Sequence, residues 1–137
     1  MVDSMRSFDC ARVSGMRIRA QPLERMISQI FQGAGCCGAE ADAIADHLIK
    51  ANLAGHDSHG VIRTSSYIAE MRQQKVFANR SLEVVFQTDT TTLVDGQLGF
   101  GQWIGKQAVS LGIAKCSQHG ISLTGIRHSG HLGRIGH

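Results

Sequence analysis

The apolar residues of this chain change their period midway, and that change limits the folds open to it. Leu23, Met26, Ile27, Ile30 and Phe31 recur at the spacing of one helical face. Pro22 suits the first turn of that helix, and Gly33 and Gly35 stop it. A second stripe of Ala41, Ile44, Ala45, Leu48 and Ala51 predicts a helix from about Ala39 to Leu53, with Glu40 and Asp42 in its first turn and Gly55 after it. A third helix fits Val61 to Gln74, with Val61, Ile68 and Met71 on one face. Then the period shortens. SLEVVF (81–86) and TTLVDG (91–96) are short, apolar and β-branched, and predict two strands, with a turn at Asp95-Gly96. A fourth helix is expected from Gly101 to about Gln118, with Ile104, Ala108, Leu111 and the Lys115 stem inward and Gly120 closing it. ISLTGI (121–126) reads as a buried strand. Helices followed by strands and a further helix make an α/β fold on a mixed sheet. With 137 residues, 42% of them apolar, one domain can bury a real core. Residues 1–15 show no periodicity and read as a disordered leader before a domain over 16–137, Met16 being an alternative start.

Several function classes drop out. No apolar run approaches the ~20 residues of a membrane helix. The N-terminal residues lack the apolar core of a secretory signal. Four cysteines without a CxxC pair suit a reduced, cytoplasmic setting better than a disulfide framework. A net charge of +3 makes no case for nucleic acid. The distribution of charge says more. No acidic residue follows Asp95, yet Lys106, Lys115, Arg127 and Arg134 do, among glycines. Such a segment favours an anion, unless its cations simply lie on solvated faces.

Three stretches carry candidate chemistry. GFGQWIG (99–105) opens a helix after an extended segment, but its spacing is GxGxxxG and no acid follows to take a ribose hydroxyl. It is expected to be a tight turn that packs a helix on a sheet. His56 with His59, and His128 with His131, form two HxxH pairs that could close a tetrahedral zinc site if their loops met. Residues i and i+3 converge only partly, no HExxH pattern is present, and no metal is assigned. The third stretch, AGHDSHGVIR (54–63), packs Asp57, Ser58, His59 and Arg63 where a helix stops. If the third helix starts near Gly60, His59 lies at its positive end and can give a proton to a forming alkoxide. Arg63, one turn on, can grip a carboxylate in two-pronged fashion. Ser58 serves equally well as a plain N-cap or as a catalytic part.

DSHGVIR followed by Tyr67, then VDGQLGFGQ, then GIRHSGHLGRIGH, in that order, resemble the type 2 malate/L-lactate dehydrogenase family, whose members include ureidoglycolate and sulfolactate dehydrogenases and diketogulonate reductase. The resemblance runs from Met16 to His137. It implies a non-Rossmann dehydrogenase fold, NAD or NADP as cofactor, a small 2-hydroxy or 2-oxo acid as substrate, and a homodimer. It places the family's proton-handling histidines on His59 and His131, its motif serine on Ser58, and substrate contacts on Arg63 and Tyr67. It also implies that the chain is the incomplete N-terminal portion of such an enzyme, because the lysine and aspartate usual soon after SGHxGR have no counterpart. The expectation is therefore a hydride-transferring oxidoreductase that is inactive as this chain alone. The alternative is a truncated, non-catalytic paralogue that works as a dimerising module, since an open sheet edge invites pairing.

Overall fold

The computed structural model describes residues 17–136. The leader and Met16 lie outside the described residues. Helix α1 spans Ala20–Gly33 and α2 spans Gly38–Leu53. A 3-10 turn covers Asp57–His59, and α3 follows at Arg63–Arg72. Strands β1 (Glu83–Gln87) and β2 (Thr91–Gly99), helix α4 (Gly101–His119) and strand β3 (Leu123–Ser129) complete the order.

The α2 stripe behaves as its spacing requires. Ala41, Ile44, Ala45, Leu48 and Ala51 are all buried, and the small Ala41 and Ala45 share one core cluster with Ile27 and Phe31 of α1. The α1 stripe is narrower than expected. Ile27 and Phe31 are buried, but Met26 and Ile30 are 51% and 41% exposed. Ser28 shares the buried face instead, because its hydroxyl donates to Asp42 at 2.5 Å and accepts from Gln32 at 2.9 Å. A buried hydroxyl is tolerated only when it is bonded in this way. Three rings close the centre of the core. Phe31 meets Phe100 edge-on at 5.6 Å, and Tyr67 lies 6.1 Å from Phe100 and 6.5 Å from Phe31. Such pairs add about 0.5–1.5 kcal/mol each beyond their burial.

The α1–α2 corner is pinned from a distance by Asn79, which sits at φ +60°. Its side chain accepts from Cys37 N at 2.7 Å and donates to Gly35 O at 2.8 Å, while its own N–H donates to Glu40 at 2.8 Å. Glu40 is fully buried, and burial raises its pKa, opposed by the Asn79 N–H and the Cys36 thiol.

The sheet has order β1-β2-β3, with β1–β2 antiparallel and β2–β3 parallel. Parallel neighbours need a crossover, and α4 supplies it. The expected turn at Asp95-Gly96 is not a turn. The strand runs on to Gly99 through a bulge: four steps from Asp95 to Gly99 oppose two from Arg127 to Ser129, with Gln97 and Leu98 at positive φ. The strand expected at 121–126 forms at Leu123–Ser129, but it is not buried in this chain. Ile121 and Leu123 are each 67% exposed, because nothing among the described residues covers that side of the sheet. Strand β1 is likewise exposed along its whole length.

Candidate functional site

Two irregular segments build the site, one between α2 and α3 and one after β3. Asn52, near the end of α2, organises the first. Its side chain donates to Asp57 at 2.5 Å and accepts from Val61 N at 2.8 Å. Gly60 has no β-carbon because the Asn52 carboxamide fills that space. The α3 helix therefore starts at Arg63 rather than near Gly60, after an extended residue at Gly60. His59 stands on the 3-10 turn and not at the start of that helix. Ser58 is not an N-cap either. Its hydroxyl lies 3.0 Å from His59 Nδ1, and its carbonyl accepts from Arg63 Nε at 3.0 Å. One residue thus orients both the imidazole and the guanidinium.

The second segment is locked by close backbone contacts at GFGQWIG. Gly130 N donates to Gly99 O at 2.8 Å, and a β-carbon on Gly101 would stand 2.5 Å from Gly130 O. The glycines let the 130–133 loop lie against the start of α4, in keeping with the packing turn expected there. Further on, Arg134 N donates to the buried His47 Nε2 at 2.8 Å. That path brings the His131 ring to 5.5 Å from the His59 ring, with 30° between their planes. Tyr67 Oη lies 2.9 Å from His131 Nδ1, and Gln102 Nε2 donates to Tyr67 Oη at 2.8 Å.

His59, Arg63, Tyr67 and His131 therefore converge, with Ser58 behind two of them. Burial lowers the His131 pKa, and the charge of Arg63 and the nearby His59 push the same way against Glu70. Burial also raises the Tyr67 pKa, so its phenol stays protonated. The cluster offers a neutral imidazole beside a fixed cation. That arrangement can take a proton from a hydroxyl while the guanidinium holds a nearby carboxylate.

The HxxH histidines do not gather around one point. His56 Nδ1 contacts Ala54 O at 3.1 Å, and His128 Nδ1 contacts Asp95 at 2.9 Å, beside Arg127. Among the described residues no group of three His, Cys, Asp or Glu side chains is placed to hold a metal. An open cleft of about 510 Å³ lies between α2 and α4, lined by Asp46, His47, Lys50, Gln102, Lys106 and Arg134 among others. Three of these are cations, and Lys50 is paired with Asp46 at 2.8 Å. The cleft thus suits an anionic group such as a phosphate. Gln102, Asn52 and His47 carry no signal of their role in the sequence alone. Of the three, only Gln102 lies in a motif, GFGQWIG, whose pattern is set by its glycines.

A family model described as malate/L-lactate dehydrogenase matches residues 18–137. The hydroxycarboxylate dehydrogenase B of Escherichia coli O157:H7 is 41% identical over 124 residues, which cover 90% of this chain and 34% of that protein. The solved malate dehydrogenase of Pyrococcus horikoshii OT3 superposes with a TM-score of 0.86 at 30% identity, covering 88% of this chain and 35% of the other. The sulfolactate dehydrogenase of Methanocaldococcus jannaschii gives 0.85 at 28% identity, covering 88% and 35%. The chain spans about a third of the length of these relatives.

Proposed function

Because the chain belongs to the malate/L-lactate dehydrogenase family, we propose that residues 16–137 form the N-terminal part of an oxidoreductase that moves a hydride between NAD or NADP and a 2-hydroxy or 2-oxo acid. The observation that carries the reading is the convergence of His59, Arg63 and His131 from segments 68 residues apart in sequence. In the oxidative direction Arg63 holds the substrate carboxylate. The imidazole of His131 accepts the hydroxyl proton as the carbon gives up its hydride, and it returns that proton in the reverse direction. His59, across the ring pair, is the other candidate for this proton. Ser58 keeps His59 and Arg63 in register, and Tyr67 holds His131 from behind. A bound nicotinamide dinucleotide supplies the hydride acceptor, and Lys50, Lys106 and Arg134 would hold its phosphates.

Pairing into a homodimer and a reduced, cytoplasmic setting belong to the same proposal. Val84, Val85 and Phe86 of β1 and Val109 and Ile113 of α4 are exposed apolar surface that pairing would bury. The three described cysteines are free. No helix among the described residues is long and apolar enough to cross a membrane.

The test is NADH- or NADPH-dependent reduction of a panel of 2-oxo acids by the product of the complete reading frame. Turnover that falls by about 10²-fold or more in His131→Ala or His59→Ala supports the reading. Turnover indifferent to both substitutions, and to Arg63→Met, contradicts it.

A further inference from the structure

Gln102 and Tyr67 are 6% and 2% exposed, so neither exchanges its partners freely with water. Gln102 Nε2 donates to Tyr67 Oη, and the same oxygen lies 2.9 Å from His131 Nδ1. A phenol has one hydrogen. Since the carboxamide already donates to Tyr67 Oη, that hydrogen is left for His131 Nδ1. Nδ1 then acts as acceptor, and the ring hydrogen of the neutral imidazole sits on Nε2.

We propose that Gln102 is a positioning residue that fixes His131 as the Nε2–H tautomer through Tyr67, leaving that nitrogen as the one that exchanges a proton with substrate. Only the last clause rests on the function proposed above; the tautomer does not.

The direction of the Gln102 amide decides the matter, and burial argues for the direction given. Gln102 Oε1 is buried with no hydrogen-bond partner. Turning the amide over would put the NH2 group in that orphaned place and aim the oxygen at Tyr67. A buried N–H without an acceptor is rarer than an under-used carbonyl oxygen. The orientation that spends the N–H on Tyr67 is therefore favoured, and with it the chain of donors Gln102, Tyr67, His131. His131 itself is exposed, while its Nδ1 faces the buried phenol. Nε2 is thus the nitrogen left for an outside ligand. Around the ring stand Arg63 and Glu70 from α3 and His59 from the 3-10 turn. Their balance, together with burial, keeps the ring neutral near pH 7, where two tautomers compete.

The experiment is a long-range 1H–15N correlation spectrum of the labelled 137-residue chain at neutral pH, with His131 assigned through His131→Gln. The expected pattern is a protonated-type shift at Nε2 and an unprotonated-type shift at Nδ1. The reverse pattern overturns the proposal, whatever any variant does. Gln102→Met keeps the length of the side chain and removes the donor, so the phenol is released and an Nδ1–H population grows in. A folded Gln102→Met whose His131 keeps a single Nε2–H tautomer also overturns it. Gln102→Glu is the second variant. Once ionised, at a pH above its burial-raised midpoint, its carboxylate takes the phenolic hydrogen and turns a lone pair of Tyr67 toward His131, so the tautomer inverts to Nδ1–H there; no inversion at a pH where that carboxyl is ionised counts against the proposal. The two readings separate cleanly. A correct tautomer in a protein without turnover sinks the enzyme and spares Gln102, whereas turnover with the wrong tautomer does the opposite.

Discussion

Replacing Gly101 by alanine tests whether the GFGQWIG glycines exist to hold His131 in place. The new β-carbon would stand 2.5 Å from Gly130 O and from His131 C, while ordinary contact begins at 3.4 Å. The loop must therefore retreat by about 1 Å, since backbone atoms cannot rotate aside as a side chain can. Two effects oppose each other. Alanine gains at most ~1 kcal/mol in helix propensity, and less at the first residue of a helix. Overpacking costs about 1–3 kcal/mol. The clash wins, and urea unfolding should show a net loss of roughly 1–2 kcal/mol. A retreat of that size also stretches the 2.9 Å contact between His131 and Tyr67 beyond hydrogen-bond range. Under the proposed function, that displacement should cost the complete protein about 10²-fold in 2-oxo acid turnover. Gly105→Ala is the control. Its β-carbon meets only the flexible end of Leu132, at 3.2 Å, so the same propensity gain should leave that variant neutral or slightly more stable. A Gly101→Ala protein as stable as the parent, with the His131 ring resonances unmoved, would refute the packing argument.

Other outcomes follow from the same geometry. His131 should titrate below 6.5, its ordinary value, and Arg63→Met should move the midpoint upward by removing one of the charges that depress it. Because the folded-state value is depressed, the stability that His131 contributes is present above pH 6.5 and lost as pH falls through the lower midpoint; an NMR titration with a midpoint at or above 6.5 would count against the cluster. Glu40 has the opposite sign. Its raised folded pKa means that the stability of the parent relative to Glu40→Gln is greatest below 4.5 and declines as pH rises through the folded value, which paired urea titrations at several pH values would show. Burial, with Glu40 beside it, pushes the Cys36 thiol up, so Cys36 should resist alkylation until the protein unfolds, while the exposed Cys37 and Cys116 react in the native state.

Local patterns in this chain were legible where one helix buries a clean stripe. The α2 alanines and leucine announced both the helix and its inner face, and the glycine at 120 marked the end of α4 in a left-handed cap at φ +79°. The sequence was less informative wherever long-range partners decide. Met26 and Ile30 match the helical period as well as Ile27 does, yet only tertiary contact selects Ile27. Asp95-Gly96 has turn chemistry, but pairing with β3 carries the strand through it as a bulge. The start of α3 lies later than the local pattern predicts because Asn52, eight residues before Gly60, holds the loop in an extended break. At the site, His59, Arg63, Tyr67 and His131 were visible as residue types and were tied together by the family resemblance. That His59 and His131 meet ring to ring is a property of the fold. Gln102 shows the limit most clearly: a glutamine between glycines carries no signal until its buried partner is known.

The most direct test of the shared site is the contact between its two histidines. The His59 and His131 rings lie 5.5 Å apart, centre to centre. A nuclear Overhauser experiment on the folded chain should show a cross-peak between their ring protons, lost in His59→Ala and in His131→Ala. A well-resolved spectrum in which both rings are assigned and no such cross-peak appears would contradict the account.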